Sequence, residues 1–367
     1  MKILVAPDSF KESMTAAEAA AAIGRGITAV LPQAQIDLCP VADGGEGTVD
    51  ALVHATGGRV CTTCVMGPLG IDVQAKWGLL GDGETAVIEM AEAAGLHLAP
   101  ADQRDPTRTT TYGVGQLIAA ALDAGARRII LGIGGSATTD GGTGMAQALG
   151  VQFEGGSTPM TGGALGDVTA IDLAGRDPRL GEVEIVVACD VTNPLTGPRG
   201  AAAVYGPQKG ATAEQVLTLD AGLAHLATLV DYVDATLPGA GAAGGLGFGL
   251  VAFADARLER GINLVLEAVD FDTRVRDAAL VITGEGRLDG QSIQGKTCLG
   301  VAQAAQKHGV KTIALVGCLG ADVEQTLAHG LTTYHSLVED GTSPERAMRE
   351  GPALLEALAQ RVVPDYL

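Results

Sequence analysis

Aromatic side chains are scarce in this chain, at 3% of 367 residues with a single tryptophan. Its core must be filled by smaller residues, and the hydrophobic fraction of 47% stands beside 53 glycines. That balance excludes an unfolded chain and suits an alanine-rich α/β enzyme with many tight turns between strand and helix. Positive charge is also short, with 24 Lys and Arg against 43 Asp and Glu and a formal net charge of −19. General affinity for nucleic acid or for anionic lipid is thereby excluded. Each lysine in a polar loop stands out instead as a candidate anion ligand.

Metal-binding spacings are missing too. Cys61 and Cys64 form a CxxC, but no second CxxC or HxxxH accompanies it, so a structural zinc site is not supported. The remaining cysteines (39, 189, 298, 318) are scattered, as expected of buried thiols in a reducing cytosol. The histidines are dispersed, and no Ser/His or Cys/His nucleophile arrangement is present. No long hydrophobic run occurs: the longest uncharged stretch, between Asp234 and Asp255, is broken by six glycines and Pro238, which disfavours a membrane span. The opening MKILVAPDSFK has only five residues between Lys2 and Asp8, too short for a secretory signal, so a cytoplasmic protein is expected.

What is abundant is the acidic, glycine-rich loop. ADGGEGT begins at Ala42, GIGGSATTDGGTG at Gly132 and GEGRLDGQSIQGKT at Gly284. Glycine lets backbone approach a ligand closely, and a strand that ends in such a loop and opens into a helix aims N–H groups at an anion. The second and third loops follow apolar runs, RRIILGI and AALVIT, that read as buried strands. Three such loops suggest phosphoryl chemistry. Carboxylates beside phosphate imply a divalent cation between them.

The chain is long for one core. It opens with a strand KILVAP, a polar turn, and a helix with a Thr15–Glu18 capping box that Pro32 stops. A strand near Ile36–Cys39 and a helix from Val49 to His54 follow. From about Val60, short alternating runs (VCTTCV, DVQAKWGLL, TAVIEMA) predict antiparallel hairpins. A helix near Leu117–Leu122, the strand RRIILGI and the strand EIVVACD ending at Asp190 come next. Residues 191–210 read as loop, a helix spans about Glu214–Val233, and GAGAAGGLGFG reads as a flexible run. Strand–helix alternation then returns in AALVIT, the QGKT helix, TIALVG, YHSLV and a final helix capped by Ser343 and Pro344. The expected fold is α/β: a Rossmann-like doubly wound domain formed by both termini (1–60 plus 275–367) with an inserted mixed α/β domain (61–274).

Two loops match nucleotide motifs imperfectly. GQSIQGKT fits the Walker A letters, yet Glu285–Asp289 intervene after the strand. GIGGSA fits the GxGxxA dinucleotide fingerprint, yet TTDGGTG continues the loop where a helix is needed. Gly134, Gly135, Ser136, Thr138 and Asp140 are the candidate ligand contacts of that loop. Asp190 ends an apolar strand, where a bare carboxylate is costly unless paired or liganded, and Asp8, Ser9 and Lys11 share the end of the first strand. Asp43 and Glu46 place two acids near a helix N-terminus.

Together these strings resemble the type-1 glycerate kinase family: APDSFKES at Ala6, PVADGGEGT at Pro40, TTTYGVGQLIAAALDAG, GIGGSATTDGGTGMAQALG, ACDVTNPLTGPRGAAAVYGPQKGA from Ala188, GAAGGLGFGL and VITGEGRLDGQSIQGKT. The likeness runs from end to end. Glu12 and Thr139 depart from the glycine and asparagine usual there. The resemblance implies ATP-dependent, Mg²⁺-assisted phosphorylation of D-glycerate, leaning to 2-phosphoglycerate. The attacking hydroxyl must lose a proton, so an aspartate base is needed, with lysines and metal stabilising the transferring group. Asp190 is the expected base or metal-binding carboxylate, with Asp289 and Glu285 as alternates. Lys11, Lys209 and Lys296 are the candidate cations. An NAD-dependent hydroxy-acid oxidoreductase and a non-catalytic binder of small organic acids stay open, as does the oligomeric state.

Overall fold

Alternate residues of one strand end in different cores, and this makes the first sheet doubly wound. A computed structural model describes residues 1–290, 292, 297–339 and 342–367. In it Ile3 and Val5 of the strand Lys2–Pro7 join a core with helices Ala16–Val30 and Gly351–Val362. The strand Thr312–Val316 divides its side chains between two cores. Ile313 and Leu315 join the same core, while Ala314 and Val316 pack with Cys298, Leu299 and Ala302 of helix Thr297–Lys307. A sheet covered on both faces needs nearly continuous apolar strands, which KILVAP, AALVIT and TIALV supply.

Two compact units divide the chain. One comprises Met1–Asp43, Asp50–Gly58 and Ile262–Leu367, the other Gly44–Val49 and Arg59–Gly261. The first unit holds a parallel sheet in the order Thr333–Ser336, Thr312–Val316, Ala278–Gly284, Lys2–Pro7, Gln35–Leu38. Ranked by sequence within this unit, that is 2-1-3-4-5, the flavodoxin-like variant of the doubly wound sheet. The strand order reverses between Lys2–Pro7 and Ala278–Gly284, and ligands of such sheets bind at the carboxyl ends beside that reversal. The register Pro7↔Gly284 brings the next residues, Asp8 and Glu285, to this edge. The Thr15–Glu18 capping box forms as expected, with Glu18 N–H donating to Thr15 Oγ1 at 3.2 Å.

A six-stranded mixed sheet organises the second unit, in the order Arg257–Glu259, Glu184–Ala188, Arg128–Gly132, Thr85–Glu89, Asp72–Leu79, Arg59–Met66. VCTTCV and DVQAKWGLL form the expected hairpin. Thr85–Glu89, however, pairs antiparallel on one side and parallel with Arg128–Gly132 on the other, so it joins the two halves of the sheet. Helix Tyr112–Asp123 covers one face through Val114, Leu117, Ile118 and Ala121.

Several elements differ from their sequence reading. GAGAAGGLGFG is not flexible: it leads into the buried helix Ala242–Ala254, entered through three left-handed residues, Ala243, Gly244 and Gly245. Its glycines serve close packing, since a Cβ on Gly244 would lie 1.9 Å from the Thr138 carbonyl oxygen. The stretch 191–210 contains helix Ala201–Tyr205 and the 3-10 turn Pro207–Lys209. The strand before Asp190 stops at Ala188, and the last helical run is two helices, Pro344–Arg349 and Gly351–Val362. Among the described residues no helix is long and apolar enough to cross a membrane.

Glu12 takes a left-handed φ of 64° on an exposed turn. A side chain there costs roughly 1–2 kcal/mol, which glycine avoids at an entropic cost of about 0.5–1 kcal/mol in the unfolded chain. Glu12→Gly should therefore raise stability by up to about 1 kcal/mol, read as a higher Tm by calorimetry. A lower Tm would show that the Glu12 side chain has a compensating role.

Candidate active site

In the first unit the site begins with Asp8. The first strand delivers it to the carboxyl edge, where its N–H donates to the Gly284 carbonyl at 2.8 Å. One carboxylate oxygen accepts the Ser9 N–H at 2.6 Å and the other accepts the Thr297 hydroxyl at the start of helix Thr297–Lys307. Burial, followed by the neighbouring Asp43 carboxylate, pushes the Asp8 carboxyl up to about 6 despite these donors. The Asp43 charge thus works against ionisation of Asp8 at this edge.

Glu285 continues the central strand and is buried, accepting the Ser292 hydroxyl at 3.0 Å. Asp289 is ion-paired with Arg287 at 3.2 Å, and its N–H donates to Ser292 Oγ at 3.3 Å. Lys11 is exposed on the turn after Asp8, with its backbone packed over Gly286. Lys296 lies outside the described residues. Asp8, Ser9, Asp43 and Glu285 thus gather at the reversal of strand order.

In the second unit, Gly44–Val49 lies directly on the other strand ends. A Cβ on Gly132 would come within 2.3 Å of the Gly44 carbonyl oxygen. The N–H of Val49 donates to the buried Glu89 carboxylate at 2.8 Å, a favourable charge at a helix N-terminus. Glu46 is exposed. The loop after Arg128–Gly132 divides in two: Gly134 and Gly135 are open to solvent and Ser136 is 7% exposed, while Thr138 and Asp140 are fully enclosed. Thr138 and Asp140, expected as ligand contacts, thus lie on the inner side of the loop. Asp140 serves the fold: its carboxylate accepts Thr111 N–H at 2.8 Å and Oγ1 at 2.7 Å, Gly142 N–H at 3.2 Å and Gly144 N–H at 3.3 Å. Burial raises its carboxyl and these donors oppose the shift.

Lys209, expected among the cations of the site, is 1% exposed, and its Nζ donates to the Thr138 carbonyl at 2.6 Å. Asp190 differs from its sequence argument as well. It is exposed, and its carboxylate accepts the Gly261 N–H at 3.1 Å, so no desolvation cost singles it out. What remains is its position just past a parallel strand, with a carboxylate that solvent can reach.

Sequence reasoning missed Thr297, Ser292, Glu89 and Thr111, which hold the acids or the helix starts. Three of the four are hydroxyl residues beside a loop or helix start, and that position is the signal that could have found them. Neither nucleotide motif has its required frame. The helix after GIGGSA begins only at Thr143, and a two-residue strand, Arg287–Leu288, separates Gly284 from helix Thr297–Lys307. Among the described residues no group of three or more His, Cys, Asp and Glu converges as a metal cage.

Asp43→Asn removes the like charge beside Asp8 and should lower the Asp8 midpoint from about 6 towards the ordinary carboxylate range. A ¹³C-carboxyl NMR titration of both proteins reads this directly. Because the folded value is raised, the stability contribution of protonated Asp8 is full at acid pH and is lost as pH rises through about 6. An unchanged midpoint in Asp43→Asn would mean that burial alone sets it.

The glycerate kinase family model matches residues 3–366. The chain is 52% identical to a glycerate kinase of Bacillus subtilis (strain 168), over 99% of this chain and 97% of that one. It is 49% identical to the glycerate 2-kinase of Escherichia coli (strain K12), over 95% and 93%. A crystal structure assigned as glycerate kinase 2 from Salmonella typhimurium LT2 superposes with a TM-score of 0.90 at 46% identity, covering 100% of this chain and 98% of that one. With the doubly wound sheet and its acidic strand ends, these likenesses establish that the chain belongs to the glycerate kinase family and is a kinase acting on glycerate.

Proposed function

We propose that this cytoplasmic enzyme transfers the γ-phosphoryl group of ATP to the 2-hydroxyl of D-glycerate with Mg²⁺, and that its two units are its two domains. The observation that carries the reading is the gathering of Asp8, Asp43 and Glu285 at the carboxyl edge of the first sheet, beside its reversal of strand order. The likeness to the glycerate 2-kinase of Escherichia coli supports the 2-position.

Mg²⁺ is usually bound by one or two carboxylates plus substrate phosphates. Asp8 with the neighbouring Asp43 suits that donor set, and the ion would supply charge neutralisation on the phosphates. Lys11 and Lys296 take the phosphate oxygens or the glycerate carboxylate. Asp190 accepts the proton of the attacking hydroxyl, with Glu285 and Asp289 as the alternates. Ser9, Glu46 and the exposed Gly134, Gly135 and Ser136 complete the substrate contacts. The missing helix after GIGGSA argues against the dinucleotide-dependent oxidoreductase.

Asp190→Asn keeps size but cannot take up the proton. Turnover with ATP, Mg²⁺ and D-glycerate should fall by about 10²-fold or more, with Tm little changed because the residue is exposed. NMR of the wild-type product should show 2-phosphoglycerate. Near-normal turnover in the variant would transfer the proton-accepting role to Glu285 or Asp289, and a 3-phospho product would overturn the regiochemistry.

A further inference from the structure

An ammonium group in an apolar interior is costly unless something needs it there. Lys209 ends the turn Pro207–Lys209 fully enclosed, and its Nζ donates a hydrogen bond to the Thr138 carbonyl at 2.6 Å. Burial pushes its amine down to about 7, against the pull of Asp140. Methionine would fill similar space without that penalty, so packing alone does not account for a lysine.

The Thr138 carbonyl is constrained from a second quarter as well. Gly244 presses on it so closely that a Cβ would sit 1.9 Å away, and Gly141 N–H donates to the Gly244 carbonyl at 3.1 Å. Just downstream, Asp140 gathers the donors of Thr111, Gly142 and Gly144. Upstream, Ser136 bridges Gly95 and Ala137 N–H donates to the Ala94 carbonyl at 2.8 Å. Leu96 N–H also donates to the Gly135 carbonyl at 2.8 Å, so Gly134 and Gly135 form an exposed crest on a loop fastened along its inner side.

We propose that Lys209 is a positioning residue for the phosphoryl transfer: by holding the Thr138 carbonyl from inside, it sets the course of the 132–142 loop and so the presentation of Gly134, Gly135 and Ser136 to substrate. The inference rests on the reading that this loop contacts substrate. It also separates Lys209 from the exposed Lys11, which has no such anchor role.

The test compares wild type, Lys209→Met and Lys209→Gln, the last keeping an N–H donor in case the methionine variant does not fold. Amide hydrogen exchange over 133–140 is measured on the free protein, and kcat and KM are measured for ATP and D-glycerate with Mg²⁺. Lys209→Met should speed loop exchange about tenfold or more while the neighbouring strands keep their protection. Its kcat should drop by about tenfold or more with KM for either substrate changed by less than about threefold, and Lys209→Gln should fall between. Wild-type exchange in the loop of both variants would overturn the anchor. A loosened loop with wild-type kcat would instead overturn the reading that the loop contacts substrate. A raised KM with unaltered exchange would mean that Lys209 meets the substrate itself, against the proposal.

Discussion

Backbone resting directly on backbone is the constraint on which both units depend. Gly132 meets the Gly44 carbonyl, Gly244 meets the Thr138 carbonyl and Gly317 meets the Gly286 carbonyl, each too close for a Cβ. Contact of this kind brings loop peptides within reach of one another and fixes where the adjoining side chains point. The scarcity of aromatic residues follows from the same geometry, because large rings would hold the segments apart. Stability then comes from many small aliphatic contacts, as in the core built by Ile3, Val5, Ile313 and Leu315 with two helices.

Within that frame, negative charge is handled in two opposite ways. Asp140 is satisfied entirely by protein donors, which makes it a structural knot and leaves little for a ligand to gain. Asp8 lies at a strand edge, where burial and the neighbouring Asp43 charge hold its carboxyl above the ordinary range despite its donors. A chain with 43 acids and only 24 bases must make this distinction residue by residue. The donors around them, more than the acids themselves, decide which carboxylates are given over to the fold.

Much of the architecture was legible because periodicity is a local signal. The apolar runs of KILVAP and TIALV announced a sheet covered on both faces, and Thr15 with Glu18 announced the first helix. Burial of polar residues was not legible. Thr138, Asp140 and Lys209 sit in a polar, glycine-rich string, and composition cannot tell a ligand-facing carboxylate from one turned inward onto backbone N–H groups. GAGAAGGLGFG failed for a related reason, since glycine marks both flexibility and tight packing and only the neighbouring loop distinguishes them. Asp190 lies exposed two residues past the strand Glu184–Ala188 rather than at its end, so the cost expected of a carboxylate ending an apolar strand does not arise.

The central claim is that the acids at the reversal of the first sheet hold the metal that serves phosphoryl transfer. Crystals grown with ADP and Mn²⁺ test it most directly, through an anomalous difference map. The account predicts a peak at about 2.0–2.3 Å from carboxylate oxygens of Asp8 or Asp43, the range for a small hard cation. A peak on Asp190 or on phosphates alone, with Asp8 and Asp43 bare, would contradict it.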